Sequence, residues 1–180
     1  MAAWQLFRAV VMTAYLMMTG SVLDILIYVF DRYMLDEVPE VPEREHLVRD
    51  LERAGFAQAN VERALDWLAE LACERDRPPL PLSNKDKSKG PTVRIFSDGE
   101  LARLSTECRG FLFTLERLGI LSPQQREIVI ERMLALDADE LDTEQLKWVV
   151  LMVLSSQPGQ ELAFERLEDL VSDAHPNVPH

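Results

Sequence analysis

The stretch Leu146-Lys-Trp-Val-Val-Leu-Met-Val-Leu154 decides the fold, because Lys147 is its only polar residue. Before it, Asp142-Thr-Glu-Gln145 has the spacing of a capping box, in which two side chains three residues apart satisfy the first free amides of a helix. After it, Pro158-Gly159 stops a helix. The pattern therefore predicts a helix over residues 143–156 that is apolar on nearly every side and forms the centre of the core.

This apolar run is too short to span a membrane. Nine helical residues at ~1.5 Å each cover roughly 14 Å, whereas the hydrocarbon layer of a bilayer is ~30 Å thick. The run is therefore predicted to be buried by other helices of the same chain.

The remaining sequence predicts an all-α fold. Apolar residues recur at helical spacing between turn signals, which favours a compact bundle of about six or seven helices around the central apolar helix, with at most one short strand near residues 92–96. The flanking helices are expected over residues 22–34, 43–54, 60 onward, 97–118, 122–136 and 161–171.

Gly110 lies inside the helix predicted over residues 97–118. A glycine there costs about 1 kcal/mol relative to alanine. A close approach by a neighbouring backbone at this position would justify the glycine, and we expect such a contact there.

The composition is acidic, with 31 acidic against 19 basic residues and a net charge of −12. Such a charge repels nucleic acid at long range unless basic residues cluster somewhere. Lys85, Lys87, Lys89 and Arg94 form the only basic stretch and lack interleaved aromatic residues, so nucleic acid is expected to bind weakly at physiological salt. A protein partner is the better prediction.

Catalytic, metal and cofactor motifs are not found. Cys73 and Cys108 have no nearby Cys or His, the three histidines are scattered, and no glycine-rich phosphate loop occurs. The acidic run Asp137-Ala-Asp-Glu-Leu-Asp142 lacks the central glycine and terminal glutamate of a calcium-binding loop. The sequence predicts no cofactor and no metal, and it favours a non-enzymatic role.

Several motifs together resemble one bacterial family. They are Val22-Leu-Asp-Ile-Leu-Ile-Tyr-Val-Phe30, Arg94-Ile-Phe-Ser97, Cys108-Arg-Gly-Phe-Leu112, Arg126-Glu-Ile-Val-Ile-Glu-Arg-Met-Leu-Ala-Leu-Asp137 and the central run. In order and spacing the chain resembles the Smg family from residue 22 to about residue 171. The resemblance implies a cytoplasmic protein and no particular reaction. The family's genes lie beside a DNA-processing gene.

The resemblance also bears on the beginning of the chain, because the family-like sequence starts at Val22. We expect translation to start there from a GTG codon, so that residues 1–21 are a hydrophobic extension outside the native protein. A membrane role follows only if those residues are genuine. The other expected divisions are an N-terminal helical module over 22–77, a basic and proline-rich loop over 78–92, a C-terminal helical module over 93–174 and a tail over 175–180.

Six residues within the family-like motifs are the candidates for a site: Arg109, Glu131, Arg132, Asp137, Lys147 and Trp148. In the structural interpretation, Arg109 and Arg132 pair with carboxylates such as Glu131 and Asp137 and fix the packing of the C-terminal helices. In the functional interpretation, a partner-binding surface lies beside Trp148, because Trp and Arg supply large contact energies when an interface buries them.

Two functional classes remain open at this point. The first is a non-enzymatic protein-protein interaction or regulatory module. The second is a nucleic-acid-associated factor linked to DNA processing, with the helix over residues 123–136 contacting the nucleic acid. That helix carries Arg126 and Arg132 against Glu127 and Glu131, so it lacks the basic footprint that phosphate contacts require.

Overall fold

A computed structural model of the 180-residue chain describes residues 20–34, 42–76, 94–136, 138, 141–157, 159, 163, 166 and 167. Seven α-helices lie in these residues: α1 (Val22–Val29), α2 (Arg44–Arg53), α3 (Gln58–Asp76), α4 (Asp98–Arg103), α5 (Thr106–Arg117), α6 (Pro123–Leu134) and α7 (Thr143–Ser155). No strand occurs in this part of the chain, and its one isolated bridge joins Leu104 to Leu141 in parallel. The prediction of an all-α bundle is confirmed.

The central helix is α7, as the sequence predicts. All residues from Leu146 to Leu154 are buried, and the helix packs against α5 and α6. Its predicted capping box is formed, since Asp142 Oδ1 accepts from the Gln145 amide at 2.8 Å and Gln145 Oε1 accepts from the Asp142 amide at 3.0 Å. Helix α7 therefore enters the core with its first amides satisfied.

In the N-terminal part of the chain, helix α3 packs against both α1 and α2. A π-helical turn, Phe30–Met34, extends α1, and the α2–α3 hairpin turns at Gly55, whose φ of +96° favours glycine. A capping box between Ser21 and Asp24 opens α1, and Asn60 Nδ2 donates to the Gly20 carbonyl at 2.8 Å. The expected division between residues 21 and 22 therefore cuts through a helix cap, and it stays a prediction.

The single helix predicted over residues 97–118 is wrong. Leu104 adopts an extended conformation with φ −91° and ψ 118°, which ends α4, and the Leu141 amide donates to the Arg103 carbonyl at 3.0 Å. Ser105 then caps α5 by accepting from the Cys108 amide at 3.1 Å. The pairing with Leu141 and the serine cap stabilise this break, whereas apolar periodicity alone indicates one continuous helix.

The expectation of a close backbone contact at Gly110 is also wrong within the described residues. A Cβ built at Gly110 would meet no atom within 4 Å other than its own helix. The glycine is exposed in the middle of α5. Packing among the residues that the structure describes therefore gives no reason for it.

Other predictions lie partly outside the described residues. These include residues 1–19, the loop over 78–92 and the tail over 175–180. The segment from Arg94 to Ser97 is neither helix nor strand, and of the last predicted helix Ala163, Arg166 and Leu167 are described and helical. Among the described residues, no helix is both long and apolar enough to cross a membrane.

Candidate interaction surface

The C-terminus of α6 brings together side chains from three helices. A helix leaves its last four carbonyls without partners in its own helical ladder. Here the Glu131 and Met133 carbonyls accept from the amides of residues 135 and 136. The other two accept from outside the helix: Trp67 Nε1 of α3 donates to the Arg132 carbonyl at 2.9 Å, and Arg103 Nη1 of α4 donates to the Leu134 carbonyl at 2.5 Å.

The side chain of Arg132 lies at the same junction. It is 6% exposed, and its guanidinium lies 5.9 Å from the centre of the Trp67 ring. Its Nη1 donates to Glu70 of α3 at 2.5 Å, while Glu131 is a distant second partner at 3.5 Å. Arg132 therefore connects α6 to the N-terminal helices, and its principal carboxylate partner is Glu70, which the sequence did not single out.

Arg103 makes the most extensive cap in this region. Its guanidinium also donates to the carbonyls of Leu136 and Ala138 at 2.7 and 2.8 Å. A positive charge at a helix C-terminus is stabilising because the helix dipole is negative there. Three carbonyls from the end of α6 and the following turn thus depend on one side chain.

Replacing Arg103 with Met is expected to lower the free energy of unfolding by about 1.5 to 3 kcal/mol, because hydrogen bonds to a charged group are lost. Urea denaturation of wild type and variant measures the loss. Arg53→Met is the matched control, since Arg53 is exposed and lies 3.6 Å from Asp50, and surface pairs contribute about 0 to 1 kcal/mol. Equal stability of the two variants would contradict the capping role of Arg103.

A second group of charges fixes the segment before α4. Arg94 Nη2 donates to Glu100 at 2.6 Å, and its Nε donates to Glu127 of α6 at 2.8 Å. Arg126 pairs with Glu127 at 2.7 Å and also with Glu116 of α5. The network ties residue 94 to α4, α5 and α6, so the extended segment that follows Arg94 has a fixed position.

The network shifts the pKa values of its members. Hydrogen bonds from Arg94 lower the pKa of Glu100 from 4.5 to about 2, and they also hold the pKa of Glu127 below its ordinary value. The two carboxylates raise the pKa of Arg94 in turn. All three groups therefore stay charged at neutral pH.

These directions predict an acid-dependent loss of stability. A carboxyl whose pKa is lowered on folding stabilises the protein above its unfolded-state pKa and loses that contribution as the pH falls toward the folded-state value. For Glu100 the window runs from 4.5 down to about 2. We expect Glu100→Gln to flatten the fall in urea stability across this range, whereas Glu52→Gln at an exposed position of α2 should leave it unchanged. Parallel curves for all three proteins would refute the assignment.

An aromatic and apolar surface lies over this network. Phe96 packs edge to face on Phe113 of α5, with ring centres 5.8 Å apart and planes at 89°. The guanidinium of Arg94 lies 4.5 Å from the Phe96 ring centre, and that of Arg109 lies 5.9 Å away. Next to it, Ile95 is 88% exposed and Phe113 is 40% exposed. We call these five residues the Phe96 surface.

Arg109 is positioned within this surface by neutral groups. Its Nη1 donates to the Leu104 carbonyl at 2.6 Å and its Nη2 donates to Thr106 Oγ1 at 3.1 Å. Among the described contacts it has no carboxylate partner. The break between α4 and α5 thus supplies the acceptor that orients Arg109 toward Phe96.

The chain matches a family described as "Protein of unknown function (DUF494)" over residues 22–180. It belongs to this family. Relatives named "Protein Smg homolog" are 45% identical over 165 residues in Nitrosococcus oceani and 43% identical over 163 residues in Methylococcus capsulatus. Each alignment covers 91% of this chain and 100% of the relative. The resemblance to the Smg family is confirmed, and no solved structure matches the chain.

In this DUF494 member, the residues singled out from the sequence do not form one site. Trp148 is buried in the core, Glu131 is exposed, and Asp137 lies outside the described residues. Lys147 is 7% exposed, and its Nζ donates to Glu144 at 2.6 Å. Only Arg109 belongs to the Phe96 surface.

Ile95, Phe96 and Phe113 were missed as site residues. A signal for Phe113 was present, since it falls outside the apolar stripe of its helix at Cys108, Leu112 and Leu115, all of which are buried. A large apolar residue off the buried stripe of a DUF494 helix points to an exposed contact. Among the described residues, no group of His, Cys, Asp and Glu could hold a metal ion.

Proposed function

We propose that the chain is a cytoplasmic, non-enzymatic protein-protein interaction or regulatory module that binds its partner through the Phe96 surface. The observation that carries the proposal is the 88% exposure of Ile95, close to Phe113, which is 40% exposed. Aromatic residues, including phenylalanine, and arginine are enriched at protein-protein interfaces relative to the rest of the surface. The Phe96 surface combines both around an exposed aliphatic side chain.

The rigidity of the surface supports the same proposal. Immobilising a flexible side chain on binding costs about 0.5 to 1.5 kcal/mol, and a surface ordered beforehand avoids that cost. Arg94 is held by Glu100 and Glu127, and Arg109 is held by Leu104 and Thr106. The apolar contact residues therefore stand on a fixed support.

Nothing in α6 favours the nucleic-acid alternative. The side chains of Arg126 and Arg132 are 10% and 6% exposed, and each is paired with carboxylates. A paired and buried guanidinium cannot release counterions from a phosphate backbone. The net charge of −12 acts in the same direction.

Site-specific photo-crosslinking tests the proposal. One variant carries a benzophenone amino acid in place of Ile95. A control variant carries it in place of Ala69, at an exposed position of α3. We expect irradiation in bacterial cells to crosslink one specific protein, other than this chain, to position 95. Position 69 should not crosslink to that protein. The purified partner should then bind the wild-type chain and lose binding to Ile95→Glu.

Two results would overturn the proposal. One is the same set of adducts from positions 95 and 69, which would mean that no specific contact forms at the Phe96 surface. The other is micromolar or tighter binding of labelled duplex DNA at about 150 mM salt, where screening weakens non-specific phosphate contacts.

A further inference from the structure

The exposed side of α5 forms a continuous face next to the Phe96 surface. At 100° per residue, Thr106, Glu107, Gly110, Phe113 and Arg117 lie within about 60° of Gly110 on the helix. All five are exposed, whereas Cys108, Leu112 and Leu115 point into the core. We call these five residues the α5 face. Its centre consists of an exposed ring next to a bare glycine.

We propose that the α5 face binds the α5 face of a second copy of this chain, with the two helices antiparallel. A two-fold axis makes each contact occur twice, so the face must be complementary to itself. If the Phe113 ring of one copy is seated on Gly110 of the other, the axis passes between residues 111 and 112. The exposed ring then fills the open space above the glycine, which explains why α5 carries a glycine there.

The same axis gives a complementary arrangement of charge. Residues 106 and 117 are equally distant from it, so Arg117 of one copy faces Thr106 and its neighbour Glu107 of the other. Neither Glu107 nor Arg117 has an ion-pair partner among the described residues. The α5 face carries one acid and one base, so it is locally neutral although the chain as a whole is at −12. A strongly basic partner is therefore not what this face fits.

The arrangement has a consequence for the proposed function. The two-fold axis lies in the plane of contact and runs across the two helices. Rotation about this axis places the same edge of both α5 faces on one side of the dimer. Arg109 and Phe96 lie along one edge of the α5 face, so the parts of the two Phe96 surfaces that remain outside the contact, all but Phe113, would stand side by side. A dimeric or repetitive partner would gain avidity from this pair. This step alone rests on the proposed function.

Sedimentation velocity of the full chain between about 1 µM and about 1 mM tests the pairing. The α5 face consists of five residues, whereas a standard interface has ~20 to 30 residues on each partner. We therefore expect a dissociation constant in the micromolar range or weaker. A monomer at every concentration would overturn the proposal.

Two substitutions locate the contact. Gly110→Leu occupies the seat of the ring at a position where, within the described residues, a Cβ meets no atom outside its own helix within 4 Å. We therefore expect a higher melting temperature together with at least tenfold weaker dimerisation, roughly the effect of losing a central contact. Ala69→Leu on the exposed side of α3 is the matched control and should leave dimerisation unchanged. Dimers of Gly110→Leu that equal those of wild type would overturn the proposal.

A charge exchange tests orientation. Arg117→Glu places an acid opposite Glu107 and should weaken the dimer, and the double variant Glu107→Arg with Arg117→Glu should restore it. Equal weakening in the single and double variants would overturn the antiparallel pairing. The photo-crosslink from position 95 reports separately on the proposed function. If the chain is a monomer and still forms the crosslink, only the dimer is refuted. If the chain is a dimer and forms no crosslink to another protein, only the proposed partner binding is refuted.

Discussion

Replacing Val150 with Asp is expected to leave the chain unfolded at room temperature. Val150 is fully buried at the centre of α7, where every residue from 146 to 154 is buried as well. A buried charge without a partner costs about 3 to 5 kcal/mol or more, against a typical total stability of ~5 to 15 kcal/mol. The loss of the valine packing adds to this cost.

Far-ultraviolet circular dichroism and thermal melting measure the effect. Ser155→Asp is the control, since it introduces the same charge at an exposed position of the same helix. The control should cost no more than about 1 kcal/mol, which is the usual size of an unfavourable charge near a helix C-terminus. A soluble Val150→Asp protein with the melting temperature of wild type would refute the central position of α7.

Replacing Trp67 with Ala is expected to lower the free energy of unfolding by about 3 to 5 kcal/mol, the usual range for a buried tryptophan. Trp67 is 3% exposed, lies near the Arg132 guanidinium and donates to the Arg132 carbonyl at 2.9 Å. The substitution removes packing volume and leaves a buried carbonyl without its donor.

Trp67→Phe separates these two contributions. It keeps most of the ring volume but lacks the N–H, so we expect a smaller loss of about 1 to 3 kcal/mol from the unsatisfied carbonyl. Urea denaturation is followed by circular dichroism and by tryptophan fluorescence. The two signals should report the same single transition, because Trp67 joins the N-terminal helices to α6. Two separate transitions in the wild type would contradict a shared core.

Local sequence signals predicted most of the fold. The capping boxes at Ser97, Ser122 and Asp142 all form, and each opens a helix where the spacing placed it. These signals work because a cap and its helix lie within four residues of each other. The burial of the central run followed from its composition alone.

The errors arose where distant residues decide the outcome. The break at Leu104 depends on a pairing with Leu141, and the serine cap that follows it lacks the glutamate or glutamine that completes a capping box. The same holds for the candidate site. Arg132 was expected to pair with carboxylates such as Glu131 and Asp137 across helices. Glu131 is a distant partner at 3.5 Å, and the shorter contact is to Glu70, 62 residues away in the chain.

The Phe96 surface could not be assembled from the sequence for the same reason. Arg94 and Phe96 belong to one motif, Arg109 belongs to another and Phe113 lies in neither, but their stacking depends on how α4, α5 and α6 meet. The exposure of Ile95 follows from that tertiary arrangement. Periodicity assigns a residue to a helix or a face and does not report which faces remain open.

Side chains of α3 and α4 cap the end of α6, and this has a consequence for the order in which the chain folds. The Arg132 and Leu134 carbonyls accept from Trp67 of α3 and Arg103 of α4, so until those helices dock these two carbonyls have only water as a partner. Closing such long loops is slow compared with forming a helical turn. The first turns of α6 can therefore form early, while its last turn gains these two partners only in the step that assembles the bundle.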